Sequence, residues 1–337
     1  MKVSRKQVLG AAAGAFASVG ILRYRGDAAE FSYKLANDTV PSHPLNVSTA
    51  AAVKRIQDAS GGQLEIRVFE NAMLGSDPQL LSQVRSGAVE FIEVGNDILG
   101  AIVPAAALGT MPFAFSSYQQ MESATGGAYG AYVGGLAEKA GIRKFPNAFY
   151  AGLFHTESRL GPITTPADLK GLKIRVPPGP LAVAMFKAFD ASPTPISLAE
   201  VYTSLQTHLV DALTVPLPVF EKFKFYEQVK YCSLTSHSFV NYLLLGNLAA
   251  WQRLPKKLQE IVDREFTQAA NEATLSMADQ EQNLAATLRG QGMTFNQPAL
   301  EPFRQVIRSA GLYAQWRQQY DPAAFDLLQK AIGNRLV

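Results

Sequence analysis

Short apolar strands alternate with amphipathic helices along the first half of the chain, and this alternation restricts the fold more than any other feature. The successive segments FSYKLAN, LNVSTAAAVKRIQDA, GGQLEIRVFE, SDPQLLSQVRSG and AVEFIEV indicate strand, helix, strand, helix and strand. Strands that are separated by helices pair in parallel, with the helices as crossovers. The sequence therefore predicts an α/β fold.

A second series of strands and helices begins at FYAGLF and continues through LKIRV, PLAVAMFKAFD and VDALTV. Two α/β units are consistent with a chain of 337 residues. A long amphipathic helix is predicted from Pro255 to about Gly290. At about 1.5 Å per residue it would be roughly 50 Å long, which exceeds one small domain. We therefore expect two lobes with a helix that bridges both.

Positive charge is concentrated at the N-terminus. The chain has 31 Lys and Arg and 28 Asp and Glu residues, of which the first 29 residues hold five and one. The rest of the chain has 26 basic and 27 acidic residues and is almost neutral. Because a nucleic-acid-binding protein would need a basic face on its folded body, we predict no nucleic-acid partner.

Residues 1–29 have the order of an export signal. The basic stretch MKVSRKQ precedes the 15-residue apolar run VLGAAAGAFASVGIL, which is short for a membrane span, and small residues follow in GDAAE. The stretch SRKQVLG resembles a twin-arginine signal with an Arg-Lys pair. We predict cleavage and a periplasmic location. An uncleaved membrane tether is the alternative, because Arg23 and Arg25 follow the apolar run.

No local signature of catalysis, cofactor binding or metal binding occurs in the sequence. The four histidines are scattered, and there is no G-x-S-x-G elbow, no Walker loop and no GxGxxG after a strand. The single cysteine, Cys232, leaves no redox pair and is expected to be buried. Two lobes, a bridging helix and an export signal favour a binding protein that closes around a ligand. A periplasmic enzyme with scattered catalytic residues is the alternative.

The segment GLKIRVPPG carries charged residues in a strand that is otherwise apolar. Leu172, Ile174 and Val176 lie on one face by alternation, and Lys173 and Arg175 lie on the other. A guanidinium near the end of a strand is well suited to hold a carboxylate through two hydrogen bonds. These residues alone leave a second interpretation open, in which Arg175 is a surface side chain at the sheet edge.

Four segments in order along the chain resemble the solute-binding subunits of TRAP transporters, of the DctP type. They are GGQLEIRVFENAMLGSDPQLLSQVRSG, PADLKGLKIRVP, ASPTPISLAEVYTSLQTHLVDALTVPLP and the Leu-Pro that opens the long helix. The resemblance covers nearly all of residues 31–335. It implies a two-lobed periplasmic receptor that closes on an organic acid and delivers it to a permease with a small and a large membrane subunit. A receptor of the same fold that presents its ligand to a membrane sensor is the alternative.

The resemblance also suggests which residue binds the substrate. The family arginine in the pattern K-I/L-R-V-P, which holds the substrate carboxylate, corresponds to Arg175. We expect lobe I to comprise residues 31–152 and 241–280, and lobe II residues 153–240 and 281–337.

Most other positions of the family's pocket carry different residues in this chain. Val215 replaces an asparagine, and the second pocket arginine of sialic-acid-binding members falls on His155, or on Phe154 after a shift of one residue. Together with Arg175, the candidate ligand-binding residues are Asp38, Asp77, Glu93, His155, Leu198, Leu213, Thr214, Val215 and Asn241.

These differences predict the character of the ligand. A polar substrate group that faced Leu198, Leu213 and Val215 would stay unpaired, at a cost of about 1–3 kcal/mol. The three acids among the candidates would repel a second carboxylate. We therefore expect a monocarboxylate with an apolar or aromatic body, rather than a dicarboxylate, sialic acid or a sugar acid. If Leu198 and Val215 belong only to the core, this expectation does not follow.

Overall fold

The structure is a computed structural model that describes residues 29–333 and 336, apart from the side chains at 278 and 282. The predicted export signal, residues 1–29, lies outside the described residues except for its last position. Within the described ranges, no helix combines the length and the apolar character that a membrane span requires.

Nine strands in the described residues form one mixed sheet. They are β1 (Phe31–Ala36), β2 (Leu64–Phe69), β3 (Phe91–Gly95), β4 (Ile142–Ser158), β5 (Lys173–Val176), β6 (Ser192–Pro195), β7 (Ala212–Leu213), β8 (Tyr231–Asn247) and β9 (Thr294–Asn296). Their order is β2-β1-β3-β8-β4-β7-β5-β6, with β9 beside β8. In the first lobe β1 is parallel to β2 and β3, and in the second lobe β5 is parallel to β6 and β7, which confirms the predicted α/β fold.

Helices cover the sheet and connect its strands. Those of the described residues are α1 (Pro44–Ala59), α2 (Asp77–Ser86), α3 (Asn96–Leu99), α4 (Pro104–Ala107), α5 (Tyr118–Gly126), α6 (Ala128–Lys139), α7 (Pro180–Ala188), α8 (Val201–Gln206), α9 (Leu217–Lys222), α10 (Leu248–Arg253), α11 (Lys256–Gly290), α12 (Glu301–Ser309), α13 (Leu312–Tyr320) and α14 (Pro322–Ile332). The ends of α2 follow from local chemistry. The Gln79 side chain accepts a hydrogen bond from the Ser76 N–H before the helix, and Gly87 ends it in a left-handed conformation.

Two long antiparallel strands connect the lobes. β4 and β8 have 17 residues each and pair along most of their length. One end of β8 pairs with β3 in the first lobe, and its other end pairs with β9 in the second lobe, where β4 also pairs with β7. The ladder between β4 and β8 has register shifts between Lys144 and Ala148, between Tyr150 and Gly152, and between Phe154 and Thr156. The last two irregularities lie between the part of β8 that pairs with β3 and the part that pairs with β9, where the sheet passes between the lobes.

The predicted long helix is confirmed as α11, which has 35 residues and begins one position after Pro255. It packs against α1 in the first lobe and against α9 and β9 in the second lobe. Its buried residues include Val262, Ala269 and Leu288, which belong to the apolar stripe that the sequence shows. The helix therefore bridges both lobes.

The last helices make contacts with both lobes. α12 packs against α7, whereas α13 and α14 pack against α4, α5 and α6. Trp316 of α13 is almost fully buried in the larger apolar cluster, and a second cluster around Phe220 and Leu288 lies in the second lobe. The expected division of the chain at residue 281 stays a prediction, and contacts of α13 and α14 cross it.

Candidate functional site

A cavity lies where the parallel strands of both lobes end. The first lobe contributes residues after β1 and β3 and the first residue of α2, and the second lobe contributes residues at or after the ends of β5, β6 and β7. The cavity encloses about 530 Å³ including its open mouth. In α/β proteins, ligands bind outside the carboxyl ends of the strands, so this cavity is the candidate binding site.

Arg175 of β5 lines this cavity with a guanidinium that is already oriented. The side chain is only 3% exposed, and it donates hydrogen bonds from Nε to the Ile196 carbonyl at 2.9 Å and from Nη1 to the Thr214 carbonyl at 3.3 Å. Among the described residues, no group accepts a hydrogen bond from Nη2. Burial lowers the pKa of Arg175 to about 10, so the group is charged at neutral pH. A fixed, charged guanidinium with free donors is suited to bind a carboxylate.

Three aspartates line the same cavity. Asp38 follows β1, Asp77 is the first residue of α2, and Asp97 follows β3. Burial raises the pKa of Asp38 to about 6, and burial together with the Asp38 charge raises that of Asp77 well above its usual value. The charge of Asp38 disfavours ionisation of Asp77, so the two carboxyls resist being ionised together. Arg175 acts in the opposite direction and lowers the pKa of all three aspartates.

The remaining wall of the cavity is mostly apolar. It is formed by Gly95, Ile98, Phe154, Pro177, Pro178, Leu198, Val215, Pro216, Val219 and Val240, with Ser197 and the Tyr242 ring. Burial and the three aspartates raise the pKa of Tyr242 well above its usual value, so its hydroxyl is neutral. The site therefore combines one charged polar cluster with a larger apolar surface.

Five of the predicted ligand-binding residues line this cavity. They are Arg175, Asp38, Asp77, Leu198 and Val215. Thr214 lines an adjoining cavity of about 420 Å³, where its hydroxyl pairs with His237 Nε2 at 3.0 Å. The two cavities share Asp97, Phe154 and Pro177 in their walls.

Glu93 lies in the core of the first lobe and is not among the residues that line either cavity. Its carboxyl accepts hydrogen bonds from the Thr49 hydroxyl at 2.5 Å and from the Asn37 amide at 2.9 Å. Burial raises its pKa to about 7. The third acid of the cavity is Asp97, and the sequence reasoning did not include it. Asp97 could have been predicted from its position two residues after β3, because the carboxyl ends of parallel strands meet at the binding site.

His155, Leu213 and Asn241 also lie outside the cavity wall. His155 accepts a hydrogen bond from the Ser236 N–H, and Leu213 belongs to the apolar cluster of the second lobe. Asn241 lines a different cavity beside Met121. The neighbours of His155 and Asn241 in sequence, Phe154, Val240 and Tyr242, do line the cavity, as expected for adjacent strand residues that point to opposite faces.

Among the described residues, no set of three His, Cys, Asp or Glu side chains is arranged to hold a metal ion. Cys232 is buried, as expected, with its Sγ 3.9 Å from Glu157 Oε1, and burial raises the pKa of the thiol well above its usual value. Neither residue lines the two cavities described above.

Several known proteins with similar sequences are solute-binding proteins. The profile of the family described as bacterial extracellular solute-binding protein, family 7 (DctP), matches residues 36–319. A solute-binding protein of Chromohalobacter salexigens is 32% identical over 234 residues, which cover 69% of each chain. The 2,3-diketo-L-gulonate-binding periplasmic protein YiaO of Escherichia coli is 30% identical over 240 residues, which cover 71% of this chain and 72% of its own.

Solved structures with the same fold are also binding proteins. A TRAP periplasmic solute-binding protein of Sulfitobacter sp. NAS-14.1 with bound β-D-galacturonate has a TM-score of 0.85 and 26% identity, with 90% of this chain and 100% of that chain covered. One of Chromohalobacter salexigens with bound D-glucuronate has a TM-score of 0.85 and 27% identity, with 89% and 99% covered. The family match covers most of the chain, and the two-lobed fold agrees with it. The chain therefore belongs to the DctP family, the solute-binding proteins of TRAP transporters.

Proposed function

We propose that this protein captures a small organic acid outside the cytoplasm and delivers it to a TRAP permease with a small and a large membrane subunit. The observation that carries the proposal is the buried Arg175, whose guanidinium is fixed by two carbonyls and keeps Nη2 available at the cavity. The carboxylate of the acid binds this guanidinium. The lobes close over the bound acid by a change in the strands between them.

The apolar wall favours an acid whose body is apolar or aromatic. Leu198, Val215, Val219 and Val240 provide no hydrogen bonds from their side chains, so hydroxyl groups that faced them would lose their water partners. The names of relatives point to a different group of acids, since they include 2,3-diketo-L-gulonate, galacturonate and glucuronate. Our proposal is that the ligand is a monocarboxylate with an apolar body. Its test compares the binding of such acids with the binding of sugar acids.

Organic acids are expected to raise the melting temperature of the protein, whereas the corresponding primary amides are not. A ligand that binds only the folded state stabilises it, by about 2.7 kcal/mol at 100 times its dissociation constant. The measurement is a thermal-shift series of branched, aromatic, dicarboxylic and sugar acids, each paired with its amide. Stabilisation by no acid would contradict the receptor function. Stabilisation by sugar acids alone would retain that function and refute the apolar ligand.

Export is expected to remove the N-terminal signal, so the mature protein begins near Ala29 or Glu30. The basic stretch, the apolar run and the small residues occur in the order that signal peptidases recognise. Mass spectrometry of the intact protein from the periplasmic fraction measures the mature N-terminus. Recovery of the full-length chain from washed membranes would instead support the tether.

A further inference from the structure

Acidic side chains outnumber basic side chains in the wall of the binding cavity. Asp38, Asp77 and Asp97 line it, and Arg175 is the one Lys or Arg among its described lining residues. A bound carboxylate adds a further negative charge to this poorly solvated space. Arg175 therefore explains how an anionic group binds, but it does not explain what the aspartates contribute.

Two of these aspartates have carboxyl oxygens without a partner. Asp38 is 4% exposed, and neither its Oδ1 nor Asp77 Oδ1 has a hydrogen-bond partner among the described residues. Nearby backbone N–H groups lower the pKa of all three aspartates, and this effect is outweighed by burial in each case. Buried acceptors are normally paired, so the free oxygens of Asp38 and Asp77 mark a place for a donor from the ligand.

We infer that the cavity binds a zwitterionic acid, whose carboxylate pairs with Arg175 and whose ammonium group donates hydrogen bonds to Asp38 and Asp77. This inference rests on the proposed function and specifies its substrate class. An ammonium has three donors and no acceptor, so it matches a pair of carboxyls with free oxygens. It also compensates the negative charge that the ligand carboxylate introduces. The apolar wall formed by Leu198 and Val215 then contacts the carbon body of the ligand.

The two classes of acid should respond to pH in opposite directions. The charged or titratable side chains that act on the three aspartates are the aspartates themselves, Arg175 on β5 and Tyr242 on β8. An acid without an amine favours their protonated forms, so its binding takes up protons and its affinity falls as the pH rises. An ammonium favours the ionised forms, so a zwitterion releases protons on binding and its affinity rises.

The test uses matched ligands with the mature wild-type protein. Isothermal titration compares leucine with 4-methylpentanoate and 2-amino-2-deoxygluconate with gluconate, between about pH 5 and about pH 8. In at least one pair the aminated acid should bind about tenfold or more tightly at neutral pH. A parallel series with added Ca²⁺ distinguishes an organic cation from a metal ion. Asp38→Asn, which preserves shape, should remove the preference for the amine, and Asp58→Asn on the exposed face of α1 should keep it.

Several outcomes would overturn the inference while the proposed receptor stands. They are tighter binding of the acids without an amine, affinity of the zwitterions that falls as the pH rises, binding that depends on Ca²⁺, and an amine preference that survives in both Asp38→Asn and Asp77→Asn. Absence of binding by all four ligands would also overturn it. The separate series of acids and amides then decides whether the receptor function itself fails.

Discussion

Replacement of Arg175 by alanine is expected to weaken binding of the acid by about 30-fold to several thousand-fold, equivalent to about 2–5 kcal/mol. The guanidinium is the positive group of the cavity, and its Nε and Nη1 bonds to Ile196 and Thr214 hold it in one orientation before the ligand arrives. Without it, a ligand carboxylate would be buried beside three aspartates with no compensating charge. Calorimetric titration with the acid that gives the largest thermal shift measures the loss.

Two further variants separate charge from geometry. Arg175→Lys keeps a positive charge but lacks the planar pair of donors, so its affinity should lie between those of the wild type and the alanine variant. Lys173→Ala removes an exposed charge two residues earlier in the same strand and should leave affinity unchanged. Circular dichroism checks that each variant is folded. Wild-type affinity in folded Arg175→Ala would refute the assignment of this residue as the carboxylate anchor.

The strand alternation of GLKIRVPPG was sufficient to place Arg175 on the opposite face from Ile174, but not to show what that face meets. The structure places Arg175 in a cavity between two lobes, and this rejects the interpretation of a surface side chain. The long helix could also be predicted from the sequence, because apolar residues recur at helical spacing along most of its 35 residues. Local periodicity was therefore sufficient to predict the helices and strands, whereas their arrangement in two lobes around a cavity was predicted from the resemblance to the family.

The side chains on β4 and β8 were harder to assign from the sequence. The sequence predicts His155 and Asn241 at the site, but the residues beside them, Phe154 and Tyr242, line the cavity. A shift of one position exchanges the two faces of a strand, and β4 contains three irregularities in its register with β8. The shift of one residue that places the second pocket arginine of the family on Phe154, rather than on His155, is such an exchange of faces.

The acidic residues near the end of β3 show a second limit on what can be predicted from the sequence. Glu93 and Asp97 lie four positions apart around the end of β3, and only the second lines the cavity. Glu93 lies within β3 and hydrogen-bonds to Thr49 of α1, whereas Asp97 lies beyond the end of the strand. A position just beyond a strand end favours Asp97 over Glu93 as a cavity residue. Whether Glu93 is buried away from the cavity depends on the packing of α1 against the sheet, which is a long-range contact that the local sequence does not show.

Gly152 occupies the irregular part of β4 that passes between the lobes. Its φ is +121°, a conformation that residues with a side chain rarely adopt, and a Cβ built there would lie 2.8 Å from Cβ of Pro216. Pro216 lines the cavity next to Val215 and forms a bridge with Phe154 of the same wall. A side chain at position 152 would therefore strain the backbone and also displace one wall of the binding cavity.

Gly152→Val is expected to destabilise the fold by about 2–6 kcal/mol, of which about 1–3 kcal/mol is backbone strain and a similar amount is steric overlap with Pro216. It should also weaken ligand binding, because Pro216 moves with its neighbours in the wall. Gly141→Val is the matched control, since its φ is +80° and its added Cβ would have no atom within 4 Å, so it carries strain without overlap. Urea unfolding and calorimetric titration of both variants separate the two effects. If both variants lost the same stability and both kept wild-type affinity, contact between Gly152 and Pro216 would have no part in shaping the cavity.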